Sequence, residues 1–140
     1  MAALTAPFVN WNESWLIGVQ EVDAQHKNLV SLLNQLHQAM SEGKGKDVLG
    51  GILDGLVSYT KAHFSTEERM MEKIGYPDLL EHKREHMALT KKVLDFQQQF
   101  KAGGAGMSVG IIEFLRTWLQ SHILGTDVKY VPLVHSKGIR

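Results

Sequence analysis

The sequence predicts an all-α chain: an antiparallel up-down-up-down four-helix bundle with an ordered N-terminal arm. Three observations carry this. Apolar residues recur at helical spacing in four stretches of similar length. Short segments holding glycine or proline separate the stretches, as antiparallel neighbours require. At 140 residues and 15.7 kDa, the chain can also bury one core around an internal site. With no repeat or linker in view, residues 1–140 read as a single domain: an arm over 1–21, a bundle over about 22–127, and a short C-terminal tail.

The arm mixes Phe8, Val9, Trp11, Trp15, Leu16, Ile17 and Val19 with Pro7, Gly18 and polar residues, without a sustained period. It is too apolar for a free tail and is expected to pack on the bundle as a hydrophobic cover. The first helix is expected from Val22 or Asp23 to Met40, with Asp23 as N-cap and Gly43 and Gly45 ending it. Leu29, Val30, Leu32, Leu33, Leu36 and Met40 form its apolar stripe, and His26 sits in its first turns. His37 lies about 20° round the helix from His26 but about 16 Å along it, too far to share a site, and reads as structural or surface.

The second helix is expected from about Asp47 to Lys73. Its inner face runs Leu49, Ile52, Leu56, Tyr59, His63, Glu67, Met70 and Ile74, so polar residues interrupt an apolar stripe. A buried carboxylate beside an imidazole is costly unless a metal supplies the compensating charge. Gly50, Gly51 and Gly55 are unusual inside a helix, and close helix packing is preferred over a narrow route for a small gas molecule as their reason. Gly75, Tyr76 and Pro77 make a turn. The third helix then runs from Asp78 or Leu79 to near Lys101. His82, His86, Leu89, Val93, Phe96 and Phe100 face inward, while Lys83, Arg84, Lys91 and Lys92 are solvated. A glycine-rich loop, 102–106, leads to the fourth helix, from about Ser108 to Leu124, with Ile111, Leu115, Trp118, Leu119 and His122 inward. In a continuous α-helix Asp127 would sit about 140° away from His122, so a break or change of pitch at Gly125 is needed to turn it inward. Val128 to Val134 pack as a tail, and His135 is expected to be exposed.

Composition removes several classes of function. Lys plus Arg and Asp plus Glu are both 15, so a formal net charge of zero offers nothing to nucleic acid or an anionic membrane. Without cysteine there are no disulfides, iron–sulfur clusters or thiol nucleophiles, which leaves histidine and carboxylate to bind metal. No transmembrane stretch or secretory signal is evident, and the expected location is cytoplasmic.

The chemistry lies in His63-Phe64-Ser65-Thr66-Glu67 and His82-Lys83-Arg84-Glu85-His86. Residues four apart lie about 40° apart on a helix, so each stretch projects two ligand-type side chains from one face. His26 stands 37 residues before His63, His122 stands 36 after His86, and Asp127 follows five later. Five of the seven histidines and two acids thus form H…HxxxE…HxxxH…HxxxxD. Such a set exceeds the four ligands of one tetrahedral zinc but suits two octahedral ions sharing carboxylates. Nitrogen and oxygen donors favour iron, although manganese or cobalt would also accept them.

This ordered pattern resembles the hemerythrin family, most closely its single-domain bacterial members, over Trp15 to about Val131. The resemblance implies two iron ions (Fe2+/Fe3+) with an oxo or hydroxo bridge. His82, His86 and His122 would hold one ion, His26 and His63 the other, and Glu67 and Asp127 would bridge them. Dioxygen would bind at the open position of the second ion and take two electrons from the pair. Its reversible release needs a dry apolar pocket, for which Leu56, Leu115, Trp118, Leu119 and Ile123 are the expected wall. Tyr59 and Trp118, each one turn before a ligand, are candidates to orient a ligand or line the pocket, though plain core roles are preferred.

The first functional reading is therefore non-enzymatic: reversible oxygen binding, for storage or transport to an oxygen-consuming partner. A di-iron redox enzyme, whether peroxidase, oxidase or handler of nitric oxide, is the alternative. Ferritin-like oxidative sites use ExxH motifs, and the chain has none. A sensor of oxygen, redox state or iron is the third reading and would need a separate output partner.

Overall fold

The computed structural model describes residues 9–43, 46–102 and 109–140. Among them the main helices are α1 (Gln20–Ser41), α2 (Lys46–Ile74), α3 (Leu79–Lys101) and α4 (Val109–Ser121), with a short α5 (Val131–Ser136). A π-helical turn, His122–Thr126, and a 3-10 turn, Asp127–Tyr130, join α4 to α5. Consecutive helices α1, α2 and α3 pack side by side and α4 returns against α1, which gives the four-helix bundle expected from the sequence. Glu13–Trp15 adds a single 3-10 turn to the arm, and no described helix is long and apolar enough to cross a membrane.

Helix α1 begins earlier than expected, and Asp23 is not its N-cap. Val19 holds that position with no side-chain cap, while the Asp23 carboxylate folds back to accept the backbone N–H groups of Ile17 (2.8 Å) and Gly18 (3.1 Å). An acid four residues inside a helix can do this because the preceding arm supplies free N–H donors. The arm is further tied to α1 by Asn34, which exchanges two hydrogen bonds with the backbone of Val9. Glycines at positive φ end the first two helices: Gly43 follows α1 and Gly75 follows α2, where Tyr76 N–H reaches back to Met71 O (3.0 Å).

Two apolar clusters fill the molecule. The larger joins Leu29, Leu33, Leu36, Leu53, Leu56, Phe64, Val93, Phe100, Leu115 and Leu119 with their neighbours. The smaller lies at one end of the bundle, where Ile17, Val19, Val22, Met71, Ile74, Tyr130 and Val134 meet. Each fully buried side chain of this size contributes about 1.5–3 kcal/mol of gross stabilisation. Along three helices the change from one cluster to the other is interrupted by buried polar residues: His26 falls between Val22 and Leu29, Glu67 between Phe64 and Met71, and His122 and Asp127 between Leu119 and Tyr130.

Some expectations need correction and some lie outside the described residues. Close packing demands glycine at none of the three: a Cβ at Gly50 would meet the Phe100 side chain at an ordinary contact distance of 3.4 Å, and at Gly51 and Gly55 it would meet nothing within 4 Å. His135 is only partly exposed, and its Nε2–H donates to Gly18 O (3.0 Å), tying tail to arm. Pro7, Phe8, Gly45, residues 103–106 of the predicted loop and Ser108 fall outside the described residues, as does the side chain of Ile111.

Candidate metal centre

The helical spacing sets the site before any tertiary contact does. His63 and Glu67, and His82 and His86, lie one turn apart on α2 and α3, and His26 faces them from α1. Asp127 is delivered by the π-helical turn. Its backbone N–H bonds to His122 O five residues back, so this one turn absorbs the extra residue that would otherwise rotate the carboxylate outward. The required change of pitch is present. Gly125 does not make it by adopting a left-handed conformation, since its φ is not positive.

All seven residues are buried, with Glu67, His26, His63 and Asp127 fully enclosed. They form two overlapping groups: His26, His63, Glu67, His122 and Asp127, and Glu67, His82, His86, His122 and Asp127. Within each group the potential ligand atoms lie within 4.8 Å of one another. Glu67, His122 and Asp127 are common to both. The Nε2 atoms converge on the carboxylates: His26 to Asp127 (2.8 Å), His63 to Glu67 (2.9 Å), His82 to Asp127 (3.3 Å) and His86 to Glu67 (3.6 Å), while His122 touches both acids (2.9 and 3.0 Å).

Outer partners decide which ring nitrogen faces inward. His63 Nδ1–H donates to Gln25 Oε1 (2.6 Å) and His86 Nδ1–H to Glu68 Oε2 (2.7 Å), both oxygens that only accept. The Gln25 amide is oriented in turn, because its NH2 donates to Thr66 Oγ1 (3.2 Å), whose hydroxyl donates to Ala62 O (3.1 Å). With Nδ1–H as the donor tautomer, His63 and His86 present Nε2 lone pairs to a carboxylate oxygen. Two acceptors facing each other need a cation between them. In line with this, Nε2 of His63, His82 and His86 and Oδ1 of Asp127 are buried without a hydrogen-bond partner. The donor set thus fits a pair of cations, and five imidazoles with two carboxylates suit iron.

Electrostatics suit ligand duty at His26, His63 and His82. Burial, reinforced by His63, lowers His26 to about 2, and burial lowers His82 to about 4 and also depresses His63, so these rings stay neutral. Burial would lower His122 as well, but the charges of Asp127 and Glu67 override it and raise His122 to about 10. Burial and the Glu67 charge push Asp127 up, whereas His122 and His63 hold Glu67 well below the usual carboxylate range. Both shifts favour a proton on the His122–Asp127 pair, and a bound cation would take its place.

A residue not anticipated from sequence completes the shell. Tyr130 is fully buried in the smaller apolar cluster, and its hydroxyl donates to Glu67 Oε2 (2.8 Å). Its place three residues after Asp127 on a helical tail was the available signal. Gln25 and Glu68 were also missed, because each sits beside an inward residue and so reads as off-face. Tyr59 does not touch a ligand in the described contacts; its hydroxyl accepts from Asn28 (2.8 Å). Trp118 does, stacking on His122 with centroids 5.5 Å apart. It also lines a cavity with Leu29, Leu33, Leu56, Thr60, Val93, Leu115 and Leu119. All four helices therefore build the apolar wall, not only α2 and α4. Ile123, though buried, is absent from the lining.

Residues 17–134 match the family model described as Hemerythrin HHE cation binding domain. The chain is 36% identical over 124 residues to a protein named Bacteriohemerythrin from Stenotrophomonas maltophilia, covering 89% of this chain and 80% of that one. It is 38% identical over 110 residues to the protein of the same name from Methylococcus capsulatus, covering 79% and 83%. A crystal structure of wild-type hemerythrin superposes with a TM-score of 0.85 at 34% identity, covering 91% of this chain and 98% of that one.

Proposed function

The chain belongs to the hemerythrin family, and from that premise we propose that it binds dioxygen reversibly at a carboxylate-bridged di-iron centre, for storage or delivery to an oxygen-consuming partner. One observation carries the reading: two candidate ligand groups share Glu67, His122 and Asp127, one helical turn from residues that line a small apolar cavity. In this reading His82, His86 and His122 would hold one ion and His26 and His63 the other, with Glu67 and Asp127 available to both. When bound, the iron pair supplies two electrons that dioxygen takes up and returns. The cytoplasmic setting rests on the sequence alone.

The protein's own residues do the rest. Leu29, Thr60, Trp118 and Leu119 each lie one turn from a ligand on α1, α2 or α4, so the cavity abuts the His26, His63 and His122 side of the cluster. Its leucines and valine exclude the water that would carry protons and reductants inward. Thr60 is the hydroxyl in this wall, and its proton is committed to Leu56 O (2.7 Å). The indole N–H of Trp118 is too weak an acid to protonate a guest. Such a lining offers an apolar guest no proton, which favours binding over reduction to water.

The test is anaerobic reduction of the iron-loaded protein, then cycles of oxygen addition and removal with iron content and visible spectrum recorded. Two irons per chain, with a charge-transfer band that comes and goes with oxygen, is the expected result. Rapid one-way oxidation would instead favour a redox enzyme or sensor built on the same ligands.

A further inference from the structure

The two groups of ligands have different outer partners. His63, found only in the first group, gives its Nδ1–H to the neutral amide of Gln25; His86, found only in the second, gives its Nδ1–H to the carboxylate of Glu68. The two hydrogen bonds are almost equal in length, 2.6 and 2.7 Å, so the geometry is matched and the charge is not. Glu68 is 28% exposed, so most of its surroundings are protein rather than water, and its only described ion-pair partner is His86. Gln25 cannot turn its amide to alter the balance, because its NH2 group is held by Thr66.

We propose that Glu68 and Gln25 are positioning residues that widen the difference between the two metal positions beyond their unequal histidine counts, Glu68 strengthening the His86 position and favouring the more highly charged ion there. The physical reason is direct. A carboxylate behind an imidazole raises the basicity of Nε2 and adds attraction for a cation, whereas an amide carbonyl orients the ring with much less of either effect. The inference rests on the paired-metal reading above. It deepens that reading by assigning to two residues outside the ligand set the order in which the positions fill and the ease with which the pair is reduced.

The experiment compares wild type, Glu68→Gln, Glu68→Ala and Gln25→Glu as full chains. Cobalt(II) is added stepwise to metal-free protein under calorimetry and visible absorption, and the reduction potential of the iron-loaded pair is measured separately. Glu68→Gln keeps an acceptor for His86 and removes only the charge. It is expected to weaken the tighter cobalt step about 10–100-fold, leave the weaker step in place, and raise the potential. Glu68→Ala should weaken the same step at least as much. Gln25→Glu should act in the opposite sense, tightening the weaker step and lowering the potential. If Glu68→Gln and Gln25→Glu both take up two ions with wild-type affinities and potentials, Glu68 is a plain hydrogen-bond acceptor and the inference is overturned. Equal weakening of both steps by Glu68→Gln overturns it too. Wild-type protein that binds fewer than two ions would bring down the paired-metal reading itself, a result separable from the others.

Discussion

At the scale of single residues, the site is a set of imidazoles whose inward nitrogen is chosen by what the other nitrogen touches. His63 and His86 show this most clearly, through Gln25 and Glu68. The spacing of the candidate ligands was legible because a helix repeats every turn. Their outer partners were not, because a hydrogen bond across the bundle leaves no trace in periodicity. The neutral state of the buried rings has a consequence for acid stability of the metal-free protein. His26 and His82 are lowered, by burial first, to about 2 and about 4, and His63 is lowered too. Between the ordinary histidine value and those lowered values, the unfolded chain takes up protons that the folded chain refuses. Stability contributed by these groups is present above about pH 6.5 and lost as pH falls below it. Asp127, raised by burial, works the other way. His122, which burial would lower but Asp127 and Glu67 raise to about 10, contributes stability that is full below about pH 6.5 and lost as pH rises above it, so it changes little over the acid range. Glu67, which burial would raise but His122 and His63 hold low, adds to the acid loss. Urea midpoints of metal-free protein should therefore fall from pH 7 to pH 4; a midpoint that rises over this range would contradict the neutral-histidine assignment.

At the scale of elements, the π-helical turn is the feature that reconciles HxxxxD with a helix. It was anticipated as a needed change of pitch, since a straight helix aims the fifth residue away; that it takes the form of one wide turn was not legible, because Gly125 equally suits a left-handed break. Such a turn is in effect an α-turn with one residue added. Deleting Gly125 should convert His122 and Asp127 to the i, i+4 spacing already used by His63 and Glu67, leaving a regular helix with both side chains inward. We expect that deletion to retain two irons per chain. Inserting one alanine after Gly125 should rotate Asp127 by about a further 100° and abolish paired binding while far-UV circular dichroism stays helical. Iron content of the two variants checks the pair of outcomes, and loss of iron on deletion with retention on insertion would refute the account. Helix ends were read to within a few residues where glycine marked them, as at Gly43 and Gly75. The misreading at Asp23 arose because a side chain suited to capping was used to anchor the arm.

At the scale of the molecule, a polar layer lies between two apolar clusters and joins α1, α2, α3 and the end of α4. That layer sets carboxylates against imidazole nitrogens, and a bound metal pair would cross-link every main helix. Metal binding to the folded state alone should stabilise it by about 2.7 kcal/mol for each ion supplied at 100 times its dissociation constant. Denaturant unfolding with iron(II) under anaerobic conditions should therefore show a higher midpoint than with chelator, and identical midpoints would mean that the ions do not bridge the helices. The sequence by itself determined the helical bundle and the seven inward residues, because both follow from spacing along a chain with a known period. Only the tertiary structure decided how the arm and tail are pinned through Asp23 and His135, and which helices wall the cavity. It alone also brought Gln25, Glu68 and Tyr130 to the candidate ligands, because those contacts depend on which side chains meet across the bundle, and distance across a fold is not written in distance along the chain.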